Sequence, residues 1–181
     1  MSRIIAVPTA AGSAGKTTTV VSLAAIFGAR GRRVLVIDAD PQATATEWLG
    51  VNVDHPIHDI GSVLLHRATL AEATLDVETP GVQLVPASPG LDGDLIEVGK
   101  VMGPEQRLRR ALQDVDADLV LIDCPGAIGP VSLYALVAAT ACVTVAQPTS
   151  KDLKGLMKME AFITEVADVY NPGLQLAAIV P

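Results

Sequence analysis

Aromatic side chains make up only 3% of the 181 residues. The core must therefore come from Ala, Val, Leu and Ile, and a stacking platform for single-stranded nucleic acid lacks its building material. Cysteine is nearly as scarce. Cys124 and Cys142 are too few for a disulfide framework, and both sit within apolar runs, so they read as buried thiols of a reducing compartment. Positive charge is not in surplus either. Lys and Arg number 13 against 20 Asp and Glu, and the formal net charge of -7 opposes a whole-surface attraction to DNA or anionic lipid. A long hydrophobic run is also missing. The longest, Leu133 to Ala146, is broken by Thr140 and Thr144 and falls short of the roughly twenty residues a membrane-spanning helix needs. The apolar stretch Ile4 to Val7 is too short for the core of a secretion signal. What remains is a chain that is 50% apolar, enough for one sizeable core in a single domain over residues 1–181 and too much for disorder. A soluble cytoplasmic protein is expected.

Short β-branched runs alternate with longer stretches of helical period, the pattern of βαβ units and of a parallel sheet buried on both faces. Strands are predicted at Ile4 to Pro8, Val34 to Asp38, Val82 to Pro86, Leu119 to Asp123, Ala141 to Ala146 and Leu174 to Val180, the last as a fully buried strand. Helices are predicted at Thr17 to Ala29, Ile57 to Leu65, Leu70 to Thr74, Pro104 to Val115, Ile128 to Thr140 and Leu153 to Val169. Pro80-Gly81, Pro86 to Gly93 and Asn171-Pro172-Gly173 read as turns. The fold class is α/β, a doubly wound and mostly parallel sheet flanked by helices. In such sheets ligands bind beyond the carboxyl ends of the strands, which directs attention to Thr9 to Thr17, Asp38 to Gln42, Asp123 to Gly126 and Gln147 to Lys151.

The first of these segments reads Ala10-Ala11-Gly12-Ser13-Ala14-Gly15-Lys16-Thr17-Thr18 and leads into an apolar helical stretch. A polyphosphate needs close backbone approach, inward N–H donors and a helix N-terminus, and only Gly, Ala or Ser leave room for all three. Gly12, Ser13, Ala14 and Gly15 would form that cradle. Lys16 would neutralise the β and γ oxygens, the Thr17 hydroxyl would ligate Mg2+, and Thr18 is placed for the α-phosphate. The strict loop pattern has Gly where Ala10 stands, so a plain strand-to-helix turn stays open on this motif alone. A nucleophile elbow is disfavoured, because Ala11 takes the place of its first glycine and Lys16-Thr17 has no part in acyl transfer. Two further predicted strands end in carboxylates, Asp38-Ala39-Asp40-Pro41-Gln42 and Asp123-Cys124-Pro125. A carboxylate at a strand end beside a phosphate loop can hold Mg2+ through water, a task that fits Asp123.

At these residues the chain resembles the ParA/MinD family of deviant Walker-type ATPases, a P-loop NTPase fold that includes DNA-partition proteins. The likeness rests on the lysine-threonine loop, Asp38 to Gln42, Leu84-Val85-Pro86-Ala87, Ile122-Asp123-Cys124-Pro125 and Gln147-Pro148, and covers essentially the whole length. It implies an ATP- and Mg2+-dependent homodimer with two nucleotides between facing subunits, and slow hydrolysis stimulated by a partner such as a ParB-like centromere-binding protein. It also implies that Lys16, Thr17 and Thr18 contact phosphate and metal. Asp38 and Asp123 would be outer metal ligands, Asp40 would position the attacking water, and Gln147 and Pro148 would lie near the base or the dimer interface.

Two departures stand out. The family's loop usually begins with a lysine that crosses to the other subunit's phosphates, and Ala11 stands there instead. Loss of such a cation predicts weak basal hydrolysis unless another replaces it. Relatives resembling McdA have displaced this lysine. Lys151, with Lys154 second, is the candidate replacement, and a solvated lysine is the alternative. The second departure is the ending: family members continue through further helices after the strand at Leu174 to Val180, so a piece lacking them, or a short relative that uses a partner, is expected. DNA binding is therefore not inherited from the resemblance.

The other polar clusters read plainly. His55 and His58 are expected at the surface rather than on zinc, and Arg107, Arg109 and Arg110, with Lys100 nearby, on a solvated charged helix. Met157 and Met159, with Leu153, Leu156 and Phe162, are expected to pack a helix. The leading functional expectation is a Mg-ATP-driven dimerisation switch acting in plasmid or chromosome partition or related cargo positioning, with a possible nucleoid location. Two alternatives stand beside it: a nucleotide-binding regulatory module with negligible hydrolysis, and an ATP-dependent metabolic enzyme on a related P-loop fold.

Overall fold

Runs such as Val34–Asp38 and Leu119–Asp123 carry apolar side chains on both faces, so they are stable only where helices cover both. In the computed structural model, which describes residues 2–9, 15–52 and 58–181 (the side chains of Ser150 and Lys151 excepted), every residue of these two strands is buried. Seven strands among the described residues form one sheet. They are β1 (Arg3–Val7), β2 (Val34–Asp38), β3 (Leu75–Asp76), β4 (Val82–Val85), β5 (Leu119–Asp123), β6 (Ala141–Val145) and β7 (Gln175–Val180), in the order β3-β4-β2-β5-β1-β6-β7. All neighbours are parallel except β3 and β4, which are antiparallel. The α/β doubly wound reading holds.

The helices are α1 (Lys16–Ala29), α2 (Thr44–Trp48), α3 (Ile60–Leu64), α4 (Leu70–Ala73), α5 (Leu91–Val98), α6 (Arg107–Ala111, preceded by a 3-10 turn at Pro104–Gln106), α7 (Pro130–Ala138) and α8 (Ser150–Val169). Val20 and Ala24 of α1 pack with Val7, Val36, Leu84, Leu121 and Val145 on one face of the sheet. The other face is covered by apolar side chains of α3, α5, α6, α7 and α8, including Ile60, Leu91, Leu108, Leu136 and Met159.

The buried stripe of α1 is Lys16, Val20, Ala24 and Gly28, spaced by four and small toward its end. Gly28 is small for a reason: a Cβ there would stand 2.1 Å from the carbonyl oxygen of Pro80 in the turn before β4. Backbone cannot yield as a side-chain tip can. Gly28→Ala is expected to destabilise the fold by about 2–3 kcal/mol, read as a lower denaturation midpoint at unchanged slope.

Several expectations need correction. The predicted Pro86 to Gly93 turn is cut short by α5, and the predicted helix Pro104 to Val115 is a 3-10 turn followed by a helix ending at Ala111. The strand at Leu174 to Val180 is not fully buried. It is the sheet's edge, with Gln175, Ala177, Ala178 and Ile179 exposed, because β6 pairs it on one side only. On α8, Met159 is fully buried, whereas Leu153 and Met157 are exposed and do not pack as expected. Both cysteines are buried and free, as expected, and burial pushes the Cys142 thiol up to about 11 and Cys124 higher still.

Candidate functional site: paired carboxylates beside a helix N-terminus

β1 lies between β5 and β6, so the segment that follows it emerges amid the carboxyl ends of the sheet. Thr9 and Thr144 tie that end together: the Thr9 hydroxyl donates to the Val145 carbonyl at 3.1 Å and the Thr144 hydroxyl to the Pro8 carbonyl at 3.0 Å. The chain then enters α1 through Gly15, whose φ of +88° lies in the left-handed region where glycine carries no Cβ penalty. The Thr19 main-chain N–H and hydroxyl both donate to the Gly15 carbonyl, at 2.9 Å each. No acidic side chain of α1 itself occupies its first turn, which leaves the positive end of the helix suited to an anion. Lys16 is only 7% exposed, Thr17 is half-buried and Thr18 is exposed. Gly12, Ser13 and Ala14, and with them Ala11, lie outside the described residues, as does His55.

Asp38 and Asp123 end neighbouring strands and are register partners across β2 and β5. Both are fully buried. The Thr17 hydroxyl donates to Asp123 Oδ2 at 2.7 Å, while Asp123 Oδ1 is buried with no hydrogen-bond partner among the described residues. A buried carboxylate oxygen left bare is costly, and it marks where a positive or donating group is wanted. Burial pushes the Asp123 carboxyl up to about 7; the Asp38 and Asp40 charges add to this, and the Thr17 hydrogen bond and Lys16 oppose it. Burial likewise raises Asp38 to about 6, against the hydrogen bonds from Thr46 and Asp40.

Asp40 lies just outside this pair and is half-buried. Its N–H donates to Asp38 Oδ1 at 3.1 Å, and its own Oδ1 accepts from the Gln42 N–H at 3.0 Å. Gln147 and Pro148 are exposed beyond β6 and line an apolar groove of about 570 Å3 with Leu153, Leu156 and Ile179. The groove lies near the start of α1, since Val145 at the end of β6 would stand 3.9 Å from a Cβ on Gly15. Lys151 lies in the first turn of α8, and Lys154 is exposed one turn further on. A larger hollow of about 800 Å3 opens at the opposite end of the sheet, where Arg33 is paired to Asp116 and Asp118. The carboxyl ends of the strands point away from it.

A hydroxyl, two desolvated carboxylates and a bare carboxylate oxygen are a donor set suited to Mg2+. Among the described residues no three His, Cys, Asp or Glu side chains converge as a protein-only metal cage. Mg2+ needs no such cage, since one or two carboxylates together with substrate phosphates and water hold it.

A family model described as an AAA domain matches residues 2–176. The chromosome partitioning protein ParA of Caulobacter vibrioides is 34% identical over 182 residues, covering 98% of this chain and 68% of that protein. The chain belongs to the ParA/MinD family. The chromosome-partitioning ATPase Soj of Thermus thermophilus is 38% identical over 177 residues, with coverage of 98% and 68%. Among solved structures, cobyrinic acid a,c-diamide synthase from Mycobacterium smegmatis, with bound ADP and magnesium, superposes with a TM-score of 0.95 at 34% identity, over 100% of this chain and 74% of that one. The P-loop NTPase fold and the ParA/MinD resemblance read from the motifs are thereby shown.

The geometry brings Lys16, Thr17, Asp38, Asp40 and Asp123 to one place at the carboxyl edge of the sheet. Sequence reasoning overlooked Thr46, which is fully buried against Asp38. Its only signal in the sequence is a hydroxyl eight residues after Asp38, and it becomes meaningful once α2 turns the chain back. Two of the three clustered arginines bond within the chain, Arg107 to the Leu64 carbonyl at 2.7 Å and Arg109 to that of Tyr170 at 3.5 Å, and Arg110 is exposed. No helix among the described residues is long and apolar enough to cross a membrane.

Proposed function

We propose that this ParA/MinD-family chain is a cytoplasmic Mg-ATP-driven dimerisation switch with slow, partner-stimulated hydrolysis, acting in DNA partition or related cargo positioning. The observation that carries the reading is the Thr17 hydroxyl bonded to Asp123, whose second oxygen is buried and unpartnered among the described residues, at the N-terminus of α1. The partition role is supported by the curated relatives named above.

The residues divide the work. Main-chain N–H groups from Gly12 to Thr18 cradle the phosphates, and Lys16 neutralises the β and γ oxygens as charge shifts onto them. Thr17, with Asp123 and Asp38 behind it, would hold Mg2+, which supplies charge neutralisation at the β and γ phosphates. Asp40 orients the attacking water. Gln147, Pro148 and their groove receive the base. Polyphosphate charge is buried between two facing copies only when cations compensate it, so the nucleotide state biases association. A ParB-like protein or another activator accelerates the hydrolysis that releases the dimer, and non-specific DNA binding is not favoured by the net charge of -7.

Sedimentation with ATP, ADP and a slowly hydrolysed analogue tests the switch. Dimer with ATP and monomer with ADP is the expected result, and a nucleotide-insensitive monomer throughout would remove it. Lys151→Ala tests the displaced cation. Stimulated turnover is expected to fall by about 10³-fold if Lys151 reaches the partner's phosphates, as for other cations supplied in trans. Turnover at the parent rate would return Lys151 to solvent.

A metabolic reading has one specific observation behind it, the 34% identity over the whole chain to a diamide synthase. It requires turnover that depends on a carboxylic acid and a nitrogen donor, whereas the switch requires a protein activator.

A further inference from the structure

Asp38 holds both nearby segments of its own loop. Oδ2 accepts the Thr46 N–H at 2.8 Å and the Thr46 hydroxyl at 2.7 Å, and Oδ1 accepts the Asp40 N–H at 3.1 Å. The hydroxyl is not free to turn elsewhere. Its oxygen accepts the Ala87 N–H at 3.0 Å, in the segment after β4, so its one proton is committed to the carboxylate. Thr46 is fully buried, as are Ala43, Ala45 and Ala87 around it. A valine would match the shape but would leave the Ala87 N–H without its acceptor and Asp38 Oδ2 short of one donor, so the oxygen is there for these two partners.

We propose that Thr46 is a positioning residue for ATP hydrolysis: it clamps the Asp38 carboxylate, and Asp38 in turn fixes the main chain of Asp40. Asp38 is the hub because one oxygen serves α2 and the other serves the residue two positions further along the chain. Without the hydroxyl, Oδ2 keeps only the Thr46 N–H, and the Ala87 N–H loses its acceptor. The carboxylate then gains freedom to swing, and the Asp40 N–H loses a fixed anchor. Displacement of a group that orients a reacting water by a fraction of an ångström lowers the rate without removing a phosphate contact. The inference rests on the reading that Asp40 orients the water.

The test compares two pairs, Thr46 against Thr46→Val, where a methyl replaces the hydroxyl, and Thr46→Ser against Thr46→Ala, where the hydroxyl is deleted, in single-turnover hydrolysis of Mg-ATP with binding measured separately. Thr46→Val and Thr46→Ala are expected to lower the rate at saturating ATP by about tenfold or more, with ATP affinity changed by less than about threefold. Thr46→Ser is expected within about threefold of the parent, since it returns the hydroxyl. A purely structural Thr46 would lower the melting temperature of the variants and leave the rate per folded molecule unchanged, which would overturn the proposal. Should Thr46→Val fail to fold, the Ser and Ala pair decides alone. A parent protein that neither binds nor hydrolyses ATP would sink the ATPase reading and this inference together. A parent that hydrolyses normally, with all variants equal to it, would sink this inference only.

Discussion

Asp123→Asn is expected to stabilise the nucleotide-free protein and, in the same stroke, to remove most of its stabilisation by Mg-ATP. The carboxyl is fully buried, one oxygen has no partner among the described residues, and burial lifts it from 3.8 to about 7. The folded state therefore retains a proton that the unfolded state releases between these two values. Stability falls as pH rises from about 4 toward 7 and is lowest, as far as this group is concerned, above that range. Asparagine still accepts from the Thr17 hydroxyl but carries no charge. Its gain over the parent should be close to zero near pH 4 and largest above pH 7, at about 2 kcal/mol or roughly 4–8 °C in Tm. With Mg-ATP at about one hundred times its dissociation constant, the parent gains roughly 2.7 kcal/mol and the variant, lacking the anionic partner of the metal, gains far less. The order of the two melting temperatures then narrows or reverses. A variant less stable than the parent at pH 8 without nucleotide would mean that Asp123 serves the fold and not a cation.

That opposition between stability and ligand binding explains which parts of the molecule could be read in advance. The strands that bury both faces, β2 and β5, are apolar throughout, and their bounds agree with the sequence pattern to the residue. Each run then closes on an aspartate that is buried among apolar neighbours, which is why the carboxylates stood out as chemistry. The elements that escaped are those whose local pattern is weak. α2 has five residues, too few to show a helical period, and α5 contains Gly93 and three acids, so that it reads as a turn. β3 has two residues and exists only through its antiparallel pairing with β4. β7 misleads in the opposite direction: Leu176, Ile179 and Val180 promise a buried strand, but burial depends on what lies beside it, and among the described residues only β6 does. Thr46 was illegible for a related reason. Its role follows from α2 folding back over Asp38, a tertiary contact that carries no periodicity of its own.

Asp40→Ala should separate binding from turnover. A group that orients water or takes its proton contributes about 10²–10⁴ in rate, and a loss of that size is expected while ATP still binds and the ATP-dependent dimer persists for longer than in the parent. The structure shows why the loss should be confined to chemistry. The Asp40 bond to Asp38 runs through its main-chain N–H at 3.1 Å and survives any side-chain change. The lattice of the loop survives as well, because Ala43 N–H donates to the Asp40 carbonyl at 2.8 Å. What alanine does remove, besides the carboxylate, is the acceptor for the Gln42 N–H, a bond worth about 1 kcal/mol to the turn. Asp40→Asn restores that acceptor without restoring the negative charge. If the carboxylate acts on water, both variants lose turnover to a similar degree, and only the alanine variant shows the small loss of stability. If Asp40→Asn instead hydrolyses ATP at the parent rate, the contribution of Asp40 lies in the shape of the turn, and the proton from the attacking water must leave by another route.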